Sequence, residues 1–171
     1  MAMFKAGAEA AVRRCADVIN AANADDASLR AALEAHGETV SSLKPDEARQ
    51  LRDAAARLRR VAQAGSLEKV CARLNEVLAA CRPPRLTAHG DAPWHLHVDS
   101  SDDSDWGEWF TASSAMALAI LVAETQQPPL GVCQAPGCDR VFPTQSPGRP
   151  RRYCSATCSS RARVASHRAR I

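Results

Sequence analysis

Apolar side chains recur at helical spacing through the first half of the chain. Val12, Cys15, Val18 and Ile19 share one stripe of a helix predicted over residues 5–24. Asp26 is placed to cap a short helix carrying Leu29, Leu33 and Ala35, which Gly37 ends. Pro45, followed by Asp46 and Glu47, opens a third helix. Its inner face is Leu51, Ala55, Leu58 and Ala62, and it stops at Gly65. Ser66 caps a fourth helix with Leu67, Val70, Leu74, Val77 and Leu78 inside. The run Cys81-Arg82-Pro83-Pro84 breaks it, because proline lacks the amide proton a helix needs.

The period then changes. Residues 85–88 and 94–98 predict two short strands, joined through residues 89–93 as a hairpin. A polar loop, 99–105, leads into a helix over Trp106–Thr125. That helix is apolar on nearly all sides after Ser114, which predicts a place in the middle of the body. Gln126-Gln127-Pro128-Pro129 reads as a connection. The fold class expected is mainly α. A helical domain with a small β-hairpin (1–125) is followed by a connection (126–130) and a small four-cysteine module with a basic C-terminal helix (131–171).

Composition agrees with a folded, helical chain. Hydrophobic residues are 46% and charged residues 24% of the 171, which excludes global disorder. Alanine alone supplies 34 positions, and it is the strongest helix former. The longest uninterrupted apolar run, Ala115 to Ala123, is nine residues, shorter than a bilayer requires. The first residues carry Lys5, Glu9, Arg13 and Arg14 and no apolar signal region. The expectation is a soluble cytoplasmic protein with no membrane partner.

Charge divides the chain. Residues 131–171 hold eight arginines against one acid, Asp139, a net +7. The first 130 residues are net −4. An acidic body with a basic tail points to a polyanionic partner for the tail.

Four of the seven cysteines lie in the same basic segment, as C-x4-C-x15-C-x3-C: Cys133, Cys138, Cys154 and Cys158. Clustered cysteines in a cytoplasmic chain indicate a metal before a disulfide. Pro136 and Gly137 bend the first pair into a turn, and Cys154 and Cys158 share a face at the start of a helix. A segment with so few apolar side chains needs stability from elsewhere, and one structural zinc held by four thiolates supplies it. An iron–sulfur cluster is the competing occupant.

These motifs resemble a known family. The segment from Cys133 to Arg161 is similar to the C-terminal finger of bacterial CGNR zinc-finger proteins. The resemblance is carried by the cysteine pairs, Phe142, the stretch 146–152 leading into Tyr153-Cys154-Ser155, and the basic helix that follows. The body resembles that family's ABATE domain, through Asp17-Val18-Ile19-Asn20 and Leu74-Asn75 ahead of the hairpin. The resemblance implies a zinc-bound module on a helical domain and a role as a stress-linked transcription regulator. The family's Cys-Gly-Asn-Arg signature reads Cys158-Ser159-Ser160-Arg161 here, so no contact of its asparagine carries over.

At 100° per residue from Cys154, Arg161 and Arg168 fall within about 40° of the metal direction, whereas Ser159, Arg163, His167 and Arg170 face away with Ser160 beside them. The outward set, joined by Arg149, Arg151 and Arg152, forms the surface expected to meet double-stranded DNA. Arg161 is assigned a structural role within the module. The body is expected to sense a small-molecule effector, bind a protein partner or form a homodimer. Two other classes stay open: an adaptor finger for protein or RNA, and an enzyme domain with an accessory finger.

Other residues draw attention. His95 and His97 share a strand face and, with Trp94, Trp106 and Trp109, form a candidate ligand pocket. Core packing is the competing role for these aromatic residues. Cys15, Cys71 and Cys81 lie in apolar stripes and are expected to act as small hydrophobes. The acidic run 99–105 lacks the glycine and terminal glutamate of a calcium loop. No nucleophile–base pair or phosphate loop stands out, so no catalysis is expected.

Overall fold

A computed structural model describes residues 2–40, 42–88, 94–98, 101, 104–145 and 150–169, with side chains from Lys5 onward. The hairpin turn expected at 89–93, most of the acidic run 99–103, Arg149 and Arg170 lie outside the described residues.

The described residues form six helices and two separate antiparallel strand pairs, a mainly α fold. Helix α1 (Ala2–Ala21) buries Val12, Cys15, Val18 and Ile19. Helix α2 (Asp26–Glu34) is capped by Asp25, not Asp26: the Asp25 carboxylate accepts from the Ser28 amide at 2.8 Å. Asp26, one residue into the helix, instead pairs with Arg52 at 2.6 Å. Both acids sit where a helix dipole favours negative charge, so composition alone does not separate them. Helix α3 (Pro45–Ala62) buries Leu51, Ala55, Leu58 and Ala62. The Glu47 carboxylate closes its first turn by accepting from the Lys44 amide at 2.8 Å. Helix α4 (Leu67–Ala79) starts at Ser66, whose hydroxyl accepts from the Lys69 amide. It buries Val70 and Leu74, with Val77 and Leu78 half-buried behind them.

Strands β1 (Arg85–Thr87) and β2 (His95–His97) pair with Leu86 opposite Leu96. Helix α5 (Trp106–Thr125) occupies the centre and packs against α1, α3 and α4. Asp105 caps it by accepting from the Glu108 amide at 2.7 Å. The nine-residue apolar run understates this helix. The helix is 20 residues long, and with an 18-residue window of mean hydropathy 1.2 it is long and apolar enough to cross a membrane by length and composition alone. Here the helix lies among its neighbours, with Phe110, Ala115, Leu118 and Leu121 buried. Its crossing with α3 depends on Gly107, where a Cβ would stand 2.7 Å from Gln50 Cβ.

Gln126 ends α5 in the left-handed conformation, at φ 54°. Leu130, the last residue of the expected connection, is the first of β3 (Leu130–Val132). β3 pairs antiparallel with β4 (Val141–Pro143), and helix α6 (Ala156–Arg168) follows. The β3–β4 hairpin is seated on the helical body. Leu130 and Val141 are part of the same apolar core as α1, α3 and α5, and β4 lies on α1. Asn20, at the end of α1, donates to the Val141 carbonyl at 2.8 Å and accepts from the Val141 amide at 2.9 Å. Arg59 of α3 donates to the Asp139 carbonyl at 3.0 Å.

Candidate metal centre

Two local structures bring the four cysteines together. Cys133 and Cys138 flank a tight turn in which the Cys138 amide donates to the Ala135 carbonyl at 3.1 Å. Gly137 takes φ 69° there, a conformation that a side chain would strain. The turn is closed below by Cys133 N–H donating to Arg140 O at 2.9 Å. The second pair straddles the start of α6. Ser155 is its N-cap, accepting from the Cys158 amide at 3.1 Å, so Cys158 sits in the first helical turn.

The four Sγ atoms all lie within 4.8 Å of one another. Cys138 and Cys154 are 3.8 Å apart, and Cys154 and Cys158 are 3.5 Å apart. None is in a disulfide. A tetrahedral zinc with bonds of about 2.3 Å places its sulfurs about 3.8 Å apart. The cage therefore fits one zinc ion, whereas a multi-iron cluster would hold the sulfurs further apart. Zinc here is structural, because four thiolates fill its coordination. A second layer is already built. Arg161 donates through Nη2 to Cys158 Sγ at 3.0 Å, and the Cys154 amide points at Cys133 Sγ at 3.4 Å. Hydrogen bonding by Ser155, then by Arg161, lowers the Cys158 thiol below its ordinary range. Burial, reinforced by the neighbouring thiols, raises that of Cys154. Arg161 and the positive end of α6 stand against the excess negative charge that four thiolates bring.

The basic residues divide by what they touch. Arg151 donates to the Cys154 carbonyl at 2.9 Å and lies over the Phe142 ring. Arg152 donates to Gln134 Oε1 at 2.9 Å and lies near the Tyr153 ring. Both guanidiniums brace the module while the residues stay exposed. On α6, Cys158, Ala162 and Ala165 turn inward, and Ser160, Arg163, His167 and Arg168 are exposed. Ser159, expected on the outer surface, is half-buried, and Arg168, expected on the metal side, is exposed. Arg163 donates to Ser160 Oγ at 3.0 Å.

In the body, Trp94, His95, His97 and Trp109 line one cavity of about 830 Å³ between α1, α5 and the β1–β2 hairpin. Trp106 is not among its lining residues; it packs edge-on against Trp109, with ring centres 5.3 Å apart. Arg14 and Glu38 also line this cavity, and neither was singled out from the sequence. Arg14 lies one position from the buried stripe of α1, and that proximity was the only available signal.

The turn, the capped helix and the converging thiols define a four-cysteine zinc-finger module. Residues 130–171 match the family model of the CGNR zinc finger. No curated protein matches the chain.

Proposed function

We propose that this protein is a zinc-containing, DNA-binding transcription regulator in the cytoplasm, with an ABATE-like body that senses a ligand or partner. The observation carrying this reading is α6 itself. It is anchored at its first turn by Cys158 and presents Ser160, Arg163, His167 and Arg168 to solvent, with no acid along its length. Arginine suits such a surface because its planar fork matches phosphate and guanine edges. The four-thiolate donor set leaves no open metal position, which favours a binder over an enzyme.

The test is titration of the full-length, zinc-loaded chain with random duplex DNA across a salt series. Six phosphate contacts give a log–log slope of roughly −5. Absence of binding at any salt overturns the reading. A second reading, a protein-interaction finger, rests on Val164, an apolar side chain 51% exposed on α6. Zinc-dependent capture of a protein partner without DNA affinity would support it.

A further inference from the structure

The cavity in the body is lined for an apolar guest. Its volume of about 830 Å³ falls within the range of organic ligand pockets, roughly 300–1,000 Å³. Small residues of α1, Gly7 and Ala11, leave its space open, and Met116 and Ile120 of α5 line it with aliphatic surface. Of the four exposed large apolar side chains among the described residues, three line this one cavity: Leu86, Trp94 and Leu96, at 65%, 74% and 48% exposure. Such a concentration marks a binding surface rather than ordinary scatter.

The polar groups around it are engaged within the protein. Arg14 pairs with Glu38 at 2.6 Å and donates to the Ser113 hydroxyl at 2.8 Å. The same guanidinium covers the Trp109 ring, 4.3 Å from its centre, so that face is not open to a ligand. His95 and His97 hold their Nε2 atoms 2.9 Å apart, and Arg85 stands 3.4 Å from His97 Nδ1. Each of these three makes a further contact besides. A charged ligand would therefore give up its water without gaining an unmatched partner, a cost that an uncharged one escapes. The surface left to be covered is aliphatic, and covering it is favourable because it removes apolar area from water.

We propose that this cavity binds an uncharged aliphatic molecule, its chain buried among Ala11, Met116 and Ile120 of the helical body and Leu86 and Leu96 of the hairpin. A small molecule suits it better than a protein segment because the apolar surface encloses a volume instead of presenting a flat face. This rests on the ligand-sensing half of the reading above, whose ligand class it names, and is independent of the DNA-binding half.

The experiment is calorimetric titration of the full-length, zinc-loaded protein with 1-hexanol, 1-heptanol and 1-octanol, and with octanoate and octylammonium as charged chains of the same length. Each added methylene is expected to tighten binding about fourfold, the gain from burying one such group. Both ions are expected to bind at least about tenfold more weakly than 1-octanol. Gly7→Phe should abolish binding of the alcohols, since a Cβ at Gly7 meets no atom within 4 Å and a large side chain there has the cavity to enter. The double variant Leu86→Thr, Leu96→Thr should weaken 1-octanol at least about tenfold. Both leucines are exposed, so this variant decides the question if Gly7→Phe does not fold. Thermal melting checks the folding of each. No binding of 1-octanol, a gain below about twofold per methylene, an ion that binds as tightly as the alcohol, or undiminished binding by a folded variant overturns the proposal. So does a dimer at the titration concentration that the leucine variant abolishes, because a second copy then covers the site. Repeating the DNA titration with and without 1-octanol separates the two readings. An unchanged DNA affinity overturns the sensing role alone, whereas failure of the alcohols to bind overturns the ligand class and leaves the DNA result standing.

Discussion

Asn20 and Val141 are joined by two reciprocal hydrogen bonds, the Asn20 amide serving both the N–H and the C=O of a single residue 121 positions away. The side chain acts as a strand edge would. It satisfies the Val141 amide and carbonyl on the edge of β4 that faces α1, while Val141 stays in register with Val132 of β3.

Asn20→Ala leaves both Val141 groups without that partner. The expected loss is about 1–3 kcal/mol, the range for a polar group deprived of its partner. Zinc content should stay at one per chain, because no ligand is touched. Thermal melting with metal analysis checks both. Asn20→Asp should fall between, because it keeps the acceptor for the Val141 amide and sets an oxygen against the carbonyl.

Metal removal should be felt beyond the finger. Leu130 and Val141 sit in the body's core, 2% exposed each, on the two strands that lead into the metal turn. Cys138→Ser, or a strong chelator, is expected to release zinc and lower the melting temperature of the helical signal as well. A helical melt unchanged by zinc loss, followed by circular dichroism, would count against this coupling.

The two arginines of α6 should separate by role. Arg161 touches Cys158 Sγ, so Arg161→Ala should weaken zinc retention by about 10–100-fold, as loss of an outer-layer partner does. Arg163 hydrogen-bonds Ser160 and, among the described residues, no metal ligand, so Arg163→Ala should leave zinc in place. If Arg163 reads a base, the change costs about 1–3 kcal/mol of DNA affinity. Chelator competition and DNA titration of both variants, run in parallel, give the answer. Reversed outcomes would mean that α6 docks through its other face.

Cys15 should be chemically silent in the folded protein. It is completely buried, and burial pushes its thiol from 9.0 up to about 12. The folded value is raised, so the stabilisation is fully present below about pH 9 and drains away as pH climbs toward 12. Native protein should leave Cys15 unmodified by iodoacetamide until it unfolds. Cys15→Ala should show a shallower loss of stability over that alkaline window, whatever its cost at neutral pH.

Much of the architecture was legible because it is local. The bounds of α5, the Pro45 start of α3 and the Ser66 cap follow from periodicity and from residues within a turn. The four metal ligands were legible from spacing alone, since a zinc cage imposes its own pattern on the chain. What escaped was long-range. Arg14 meets Glu38 and Ser113, the latter 99 positions away, and nothing near Arg14 in sequence announces it. Asn20 stood out only through a family resemblance, because its partner is a backbone that no side-chain pattern encodes. Trp106 was grouped with the pocket tryptophans by proximity in sequence, but three positions along a helix place it outside the lining of that cavity.

Seating β4 on α1 also sets an order of events during synthesis. Helices α1 to α5 are all translated before residue 141 exists, so the apolar patch beside Asn20 is uncovered while the ribosome is still at work. Contacts this distant in sequence close slowly, because the entropy of the intervening chain opposes them until they form. The nascent body therefore keeps that patch open to solvent until the hairpin that leads into the metal cage has been made.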